Sequence, residues 1–502
     1  MEIFQSLVVL LFIATLVIGI VQKIHIAYPI ALLFIGLALG FVPGIKVISY
    51  DPTLLLAIVL PPILYYGAFS IAFREFKENI KEIVALAIGL VIFTTLIVAL
   101  IFKQCFPEYP WEVAFAFGAI ISPTDAVSAT TIMKRYSLRS RLLTIIEAES
   151  MINDASGLVL YTLAVSVILS GTFSFTNAGF EFVKITCGGI LVGIILGFLF
   201  QNLSRRFFNP IVGVLFSFPI PFATYILANY LQVSGVLAVV VNGLIGSGIL
   251  ARHPASLRRI LGFASWDIFI ILMNCFVFMI IGLELQALLR VMPVKQLSIY
   301  IGYALIITLA LIAIRLLWVY ITYLGKKQPM KGEATIIGWS GMRGIISLTA
   351  ALALPRSIEG RDIIIFITFT VILLTLLLPS CTLAWLIRYL HMDQPPDLRG
   401  ASEARKHLAE IAIEKLKELH EAEKISEEEL NYLSNYFSLH PHIYESFYKD
   451  LSNIERARLK IFELQRNRLL EMWEQQKIDD RVFRHLEHEL DLEETQRARA
   501  EL

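Results

Sequence analysis

Thirteen apolar runs follow one another along the chain, at about 4–22, 26–43, 53–72, 82–102, 112–133, 142–169, 182–202, 210–230, 233–250, 266–288, 297–324, 333–354 and 362–390. A helix crosses a bilayer with roughly 20 such residues, so the pattern predicts about thirteen transmembrane helices. Pro379 is a possible break in the last and longest run. Beyond residue 396 the pattern changes. Residues 402–423 and 454–474 place apolar positions such as Leu408, Ile411, Leu416 and Leu419 at helical spacing between charges. The expectation is an all-α polytopic membrane body over 1–396 and a charged helical tail over 397–502.

Composition sharpens that division. Of 502 residues, 57% are apolar and 17% charged, against about 25% charged in soluble proteins, and the mean hydropathy is +0.70. Disordered, coiled-coil and disulfide-scaffold classes are excluded. The net charge of +1 conceals two opposite surpluses: residues 1–396 carry 26 Lys+Arg and 18 Asp+Glu, and residues 397–502 carry 17 and 24. One alternate set of loops holds sixteen basic residues, from Lys23 through Lys331, and the other set six. The positive-inside rule then places the N-terminus outside and the tail in the cytoplasm. The first run has Glu2 ahead of it and no basic n-region, so it reads as a retained span. Cys105, Cys187, Cys275 and Cys381 match no metal spacing and read as packing residues. His485 and His488, three apart among glutamates, read as a solvated helix face rather than a metal site.

Charges inside apolar runs are expensive and mark function. In the fifth run, Ser122-Pro-Thr-Asp-Ala-Val127 puts Pro123 at midspan, where it should unwind the helix beside Asp125. In the sixth, Glu149-Ser-Met-Ile-Asn-Asp154 places Ser150 and Asp154 on one helix face and Glu149 and Asn153 on the next. Carboxylate, hydroxyl and amide oxygens together suit a small alkali cation. A partly desolvated carboxylate also takes up a proton near neutral pH, and one group accepting either is the minimum needed for exchange. In the twelfth, Gly341-Met-Arg-Gly344 buries Arg343, whose expected partner is an acidic residue of the sixth run, Glu149 before Asp154. Arg315, about nine residues from the cytoplasmic end of the eleventh run, reads as snorkelling or pairing within the protein, and Asp267 and Glu284 read as solvated span ends. These three stay outside the expected site.

These motifs resemble the monovalent cation:proton antiporter-1 family, in its bacterial sodium/proton exchanger branch. Leu60-Pro-Pro-Ile-Leu64 and the tail stretch Leu486–Glu494 also fit that branch. The resemblance implies an inverted-repeat fold with unwound crossing helices, a dimerisation part and a mobile core, and a homodimer in the inner membrane. It implies that Asp154 binds cation and proton in competition, with Ser150 and an oxygen at Thr124 as further ligands and Asp125 alongside. It further implies a structural Glu149–Arg343 pair, and electroneutral exchange associated with Asn153. A second unwound segment is expected near Gly341–Gly344 or near Thr375–Pro379. Tyr65-Tyr66 stands where relatives often have an acidic residue, so no ligand role carries over there.

The expected activity is exchange of Na+ for protons, with no cofactor, nucleotide or nucleic acid and with lipid as surroundings. K+/H+ exchange on the same fold is the nearest alternative, and a channel or cation sensor with the tail as output the next. An intramembrane hydrolase lacks its motifs. Opposite surpluses on one side of the membrane attract, so the tail is expected to restrain the membrane body. Deleting residues 400–502 should then speed exchange or shift its pH profile in vesicles; unchanged kinetics would count against the restraint.

Overall fold

The computed structural model describes residues 2–24, 28–42, 52–136, 138–170, 175–204, 206, 209–250, 256–291, 294–324, 331–393, 398–422 and 424–435, with a few positions between 465 and 475. Most of the helix expected at 454–474, together with His485, His488 and the 486–494 stretch, lies outside the described residues. The chain forms two compact units, residues 1–394 and 395–502.

The second unit contains α19 (Leu398–Glu421) and a following turn of helix that starts at Ser426. Its start is a capping box: the Glu429 N–H donates to the Ser426 hydroxyl, and the Ser426 N–H donates back to the Glu429 carboxylate.

The regular elements of the first unit are helices among the described residues, apart from one isolated bridge. Its elements are α1 (Glu2–Ile24), α2 (Tyr28–Gly40), α3 (Pro52–Ser70), the short α4 (Phe73–Glu78) and α5 (Ile80–Val84), and α6 (Val91–Cys105). After α7 (Trp111–Ile121) and α8 (Val127–Met133) come α9 (Ser140–Ser170), α10 (Phe175–Ser204), α11 (Pro210–Ser217), α12 (Pro219–Tyr230) and α13 (Gly235–Leu250). The unit ends with α14 (Ser256–Val291), α15 (Val294–Leu324), α16 (Lys331–Trp339), α17 (Ile345–Leu352) and α18 (Arg361–Tyr389). Each apolar run overlaps one helix or a helix pair joined through a break. Among the described residues, seven helical stretches are long and apolar enough in one piece to cross a membrane. Phe12, Phe180, Phe198 and Leu309 point outward from the bundle, as a protein solvated by lipid requires.

The helices pack in two layers. α1–α3 and α10–α14 make one, and α4–α9 with α15–α18 make the other; α3, α13 and α14 meet α9, α17 and α18 along the seam. In the second layer, two helices break at midspan and cross. Pro123 has no N–H for the Ala119 carbonyl, and the Ser122 hydroxyl donates to it instead (3.3 Å). The chain leaves the helix through Asp125, turns back to helical dihedrals at Ala126 and resumes as α8. The second break lies at Ser340–Gly344, between α16 and α17. That settles the location left open by the sequence, because α18 continues unbroken through Thr375 and Pro379. The breaks meet as an antiparallel bridge, the Asp125 N–H donating to the Met342 carbonyl at 2.7 Å.

Two further devices stiffen this layer. A π-turn at Ala85–Leu90 frees carbonyls that the Ser156 hydroxyl (Ala87, 2.5 Å) and the Trp318 indole (Ala85, 3.1 Å) take up. At the end of the layer near the basic loops, Arg141 donates to Asn79, Glu82 and Glu333, each at 2.8 Å, and so ties the starts of α5, α9 and α16 together. At the crossing there is no spare room: a Cβ on Gly344 would run into the Asp125 side chain. Gly344→Ala should therefore destabilise by about 1–3 kcal/mol, read as a lower unfolding temperature of the purified protein.

Candidate functional site

Helix α9 presents two polar faces, and they face different neighbours. Glu149 and Asn153 are about 1% exposed and turn toward the first break and α15, whereas Ser150 and Asp154 line a cavity. This cavity, of about 610 Å³, lies on the seam. α3 and α14 form one wall through Leu64, Tyr66, Asp267 and Asn274. α8, α9 and α17 form the other through Asp125, Ser150, Asp154 and Ser347. Its lining continues to Ser70, Lys134, Glu147 and Phe263, at the helix ends joined by the basic loops, so it opens on that side.

Asp154 accepts no hydrogen bond or ion pair among the described residues. Its charged neighbours are the carboxylates of Asp125 and Glu149. Asp125 turns one oxygen back to the Val127 N–H (2.8 Å), capping α8 at its positive end. The Ser150 hydroxyl accepts from the Ala126 N–H (3.1 Å), which fastens α9 to the break. Two carboxylates in one cavity repel, and a bound proton or cation relieves that repulsion.

The Glu149–Arg343 pair expected from the sequence is not formed. Glu149 is held by Arg315 through two bonds, Nη1 to Oε1 at 2.5 Å and Nη2 to Oε2 at 2.8 Å, and both side chains are almost fully buried. Arg343 donates instead to the carbonyls of Ile121 (3.1 Å) and Gly341 (2.6 Å). A buried guanidinium does not require a carboxylate: the unpaired carbonyls at the end of α7 serve Arg343 as well. Arg315 does the same at the other break, its Nε donating to the Ile337 carbonyl near the end of α16 (3.1 Å). Gly341 leaves the space through which both side chains pass.

Thr124 and Asn153 belong to this inner side. The Asn153 amide donates to the Thr124 hydroxyl (2.7 Å), which donates to Glu149 (3.2 Å). The Thr124 hydroxyl is thus committed, leaving its main-chain carbonyl as the oxygen it can offer. Asp267, placed by the sequence at a solvated span end, lies on the cavity wall and accepts from the Tyr66 hydroxyl at 2.5 Å. Nothing in the spacing of α3 and α14 signals that contact, because the two residues are 201 apart.

These features are those of a membrane transporter built around two crossing broken helices. The chain matches the family described as "Sodium/hydrogen exchanger, transmembrane" over residues 8–389, and it belongs to that family. It is 30% identical to an uncharacterized Na+/H+ exchanger of Mycobacterium tuberculosis, over 98% of this chain and 96% of that one. It is 32% identical to the Na+/H+ antiporter ApNhaP of Aphanothece halophytica, over 73% and 70%. A sodium, potassium, lithium and rubidium/H+ antiporter of Bacillus pumilus is 31% identical, over 83% and 66%. In fold it is similar to the sodium proton antiporter MjNhaP1 of Methanocaldococcus jannaschii, with a TM-score of 0.64 at 23% identity, covering 78% of this chain and all of that one. The protein is thus a multi-pass membrane protein of the sodium/hydrogen exchanger family.

Arg315→Gln leaves Glu149 buried without its counter-charge and should destabilise by about 3–5 kcal/mol. Adding Glu149→Gln should recover much of that loss. The same second substitution should not rescue Arg343→Gln, whose partners are carbonyls. Thermal unfolding of the single and double variants reads the difference.

Proposed function

We propose that the protein exchanges a monovalent cation, Na+ first, for protons, with both competing for Asp154. The observation that carries this reading is a buried carboxylate that lines a cavity and has no hydrogen-bond or ion-pair partner among the described residues. Ser150, Asp125 and the Thr124 carbonyl complete a set of hard oxygens of the kind alkali cations take. Asn153, neutral and tied to Thr124, adds no charge beside Asp154, in keeping with electroneutral one-for-one exchange.

Access alternates when the layer of α4–α9 and α15–α18 slides against the other along the seam. An uncompensated carboxylate crossing an apolar wall is costly, so the layer moves only with Asp154 neutralised by proton or cation. That rule couples the two flows without nucleotide or cofactor. We place the protein in the inner membrane, tail and cavity mouth toward the cytoplasm, as a homodimer. The names of the relatives, one of them covering sodium, potassium, lithium and rubidium, support the class of transport and keep K+ as the alternative cargo.

Reconstituted protein should show Na+-dependent proton movement that Asp154→Asn abolishes; an Asn variant that still exchanged normally would refute the site. Competition also sets a sign. The half-saturating cation concentration should rise as pH falls, by up to about tenfold per pH unit once Asp154 is mostly protonated. A pH-independent value would refute shared occupancy.

A further inference from the structure

Two loops meet α10, α11 and α14 on the basic-loop side, Ser204-Arg-Arg-Phe-Phe-Asn209 and Ala251-Arg-His-Pro-Ala-Ser-Leu-Arg-Arg259. Together they hold five arginines and no Asp or Glu. Such an excess serves to orient a membrane protein, and by itself asks for no ligand.

Arg258 departs from that simple role. Its side chain is half-buried in a crevice where α10, α11 and α14 converge. Nη1 donates to the Ser204 carbonyl (3.0 Å), and Nη2 to the Ser204 hydroxyl and the Gly213 carbonyl (3.4 Å). Every partner is neutral. Nε has no acceptor among the described residues, and no carboxylate pairs with the guanidinium there. The remaining residues of the two loops have none to supply. Burial pushes the Arg258 pKa down, with only Tyr65 acting against it. A charge is being held in a partly desolvated place without a counter-charge among the described residues.

Its surroundings say where the counter-charge comes from. The apolar span of α14 begins at Ile260, so Arg258 stands at the level where the span meets the loops. Beside it, Ile211, Leu215 and Ile260 are exposed, and Tyr65, Phe69, Phe263 and Trp266 wall the crevice. The crevice, of about 50 Å³, is too small for a headgroup but accepts a methylene or two at its mouth. Apolar flanks beneath an unpaired guanidinium fit a molecule with an anionic head and hydrocarbon chains. They do not fit the acidic tail of this chain, whose residues 397–502 hold 24 carboxylates.

We infer that Arg258 anchors a binding site for the phosphate of an anionic phospholipid, at the membrane boundary of the layer that contains α3 and α10–α14. A phosphodiester oxygen takes the free Nε–H and the outer edge of the fork, where planar guanidinium geometry favours it. The neighbouring arginines add a screened, less specific attraction.

The test is native mass spectrometry of the full-length protein, with thermal unfolding alongside, in detergent supplemented with phosphatidylglycerol, phosphatidylcholine or inorganic phosphate. Phosphatidylglycerol should be retained and raise the unfolding temperature more than phosphatidylcholine. Inorganic phosphate at the same concentration should do neither. Arg258→Gln should weaken phosphatidylglycerol binding about fivefold, the effect of one basic residue near an anionic surface. Arg258→Lys, which keeps charge but loses the fork, should fall between. Should the Gln variant not fold, the wild-type preference for phosphatidylglycerol, declining as salt rises, still decides the matter. Equal binding by wild type and variants, or an equal effect of inorganic phosphate, would overturn the lipid site. So would lipid indifference coupled with an Arg258→Gln tail that becomes easier to proteolyse, since the acidic tail would then be the partner.

Discussion

The structure depends on the crossing of two broken helices in the interior of the second layer. Breaking a helix at midspan creates ends with unpaired carbonyls and N–H groups, each expensive in a low-dielectric interior. Here each kind of end meets a group of suitable charge. Arg343, from the second break, serves the end of α7 at Ile121, and Arg315 serves the end of α16 at Ile337. Asp125 caps the start of α8, and its own N–H goes to Met342. Cations at carbonyl ends and an anion at an N–H end are what the helix dipoles favour, by up to about 2 kcal/mol each when partly buried. The unwound segments are therefore held open by charge, and the cavity beside them inherits a fixed geometry.

Glu149 follows from the same arrangement. Two guanidinia brought within one region of the membrane need a compensating negative charge, and Glu149 supplies it through a two-bond pair with Arg315. Thr124 and Asn153 tie that pair to the first break. The inner face of α9 is thus saturated. Asp154 and Ser150, five and one positions further on, lie on the outer face, where Asp154 has no ion pair among the described residues. In the proposed function, saturation of one face leaves the other face's charge available to a mobile ion.

Much of this was legible in the sequence, for identifiable reasons. Apolar runs report helices because lipid imposes length and composition on each one, and the midspan Pro123 marked the first break correctly. The division of Glu149 and Asn153 from Ser150 and Asp154 came directly from helical spacing. The partner of Glu149 did not. Arg315 and Arg343 are both one-letter exceptions within apolar runs, and nothing local says that carbonyls will satisfy one and a carboxylate the other. The π-turn at Ala85–Leu90 and the Arg141 cluster were likewise hidden, since each depends on residues brought together from three separate helices. The Tyr66–Asp267 contact was missed for the same reason.

In the proposed function, the seam is what turns a binding site into a transporter. Asp154 and Asp125 belong to one layer, and Tyr66, Asp267 and Asn274 face them from the other across the cavity. The broken helices, the Arg315–Glu149 pair, the π-turn and the Arg141 cluster all lie within the first of these layers, so it can travel as a body without disturbing any of them. The crossing holds together for that reason, and the proposed alternating access places the movement at the largely apolar contacts between the layers. In the exchange proposed above, a charge on Asp154 opposes the slide, and occupancy by a cation or a proton removes it. On that reading, keeping the Arg315–Glu149 pair and the Arg141 cluster inside one moving layer, with Asp154 at its boundary and without an ion pair among the described residues, makes movement conditional on cargo.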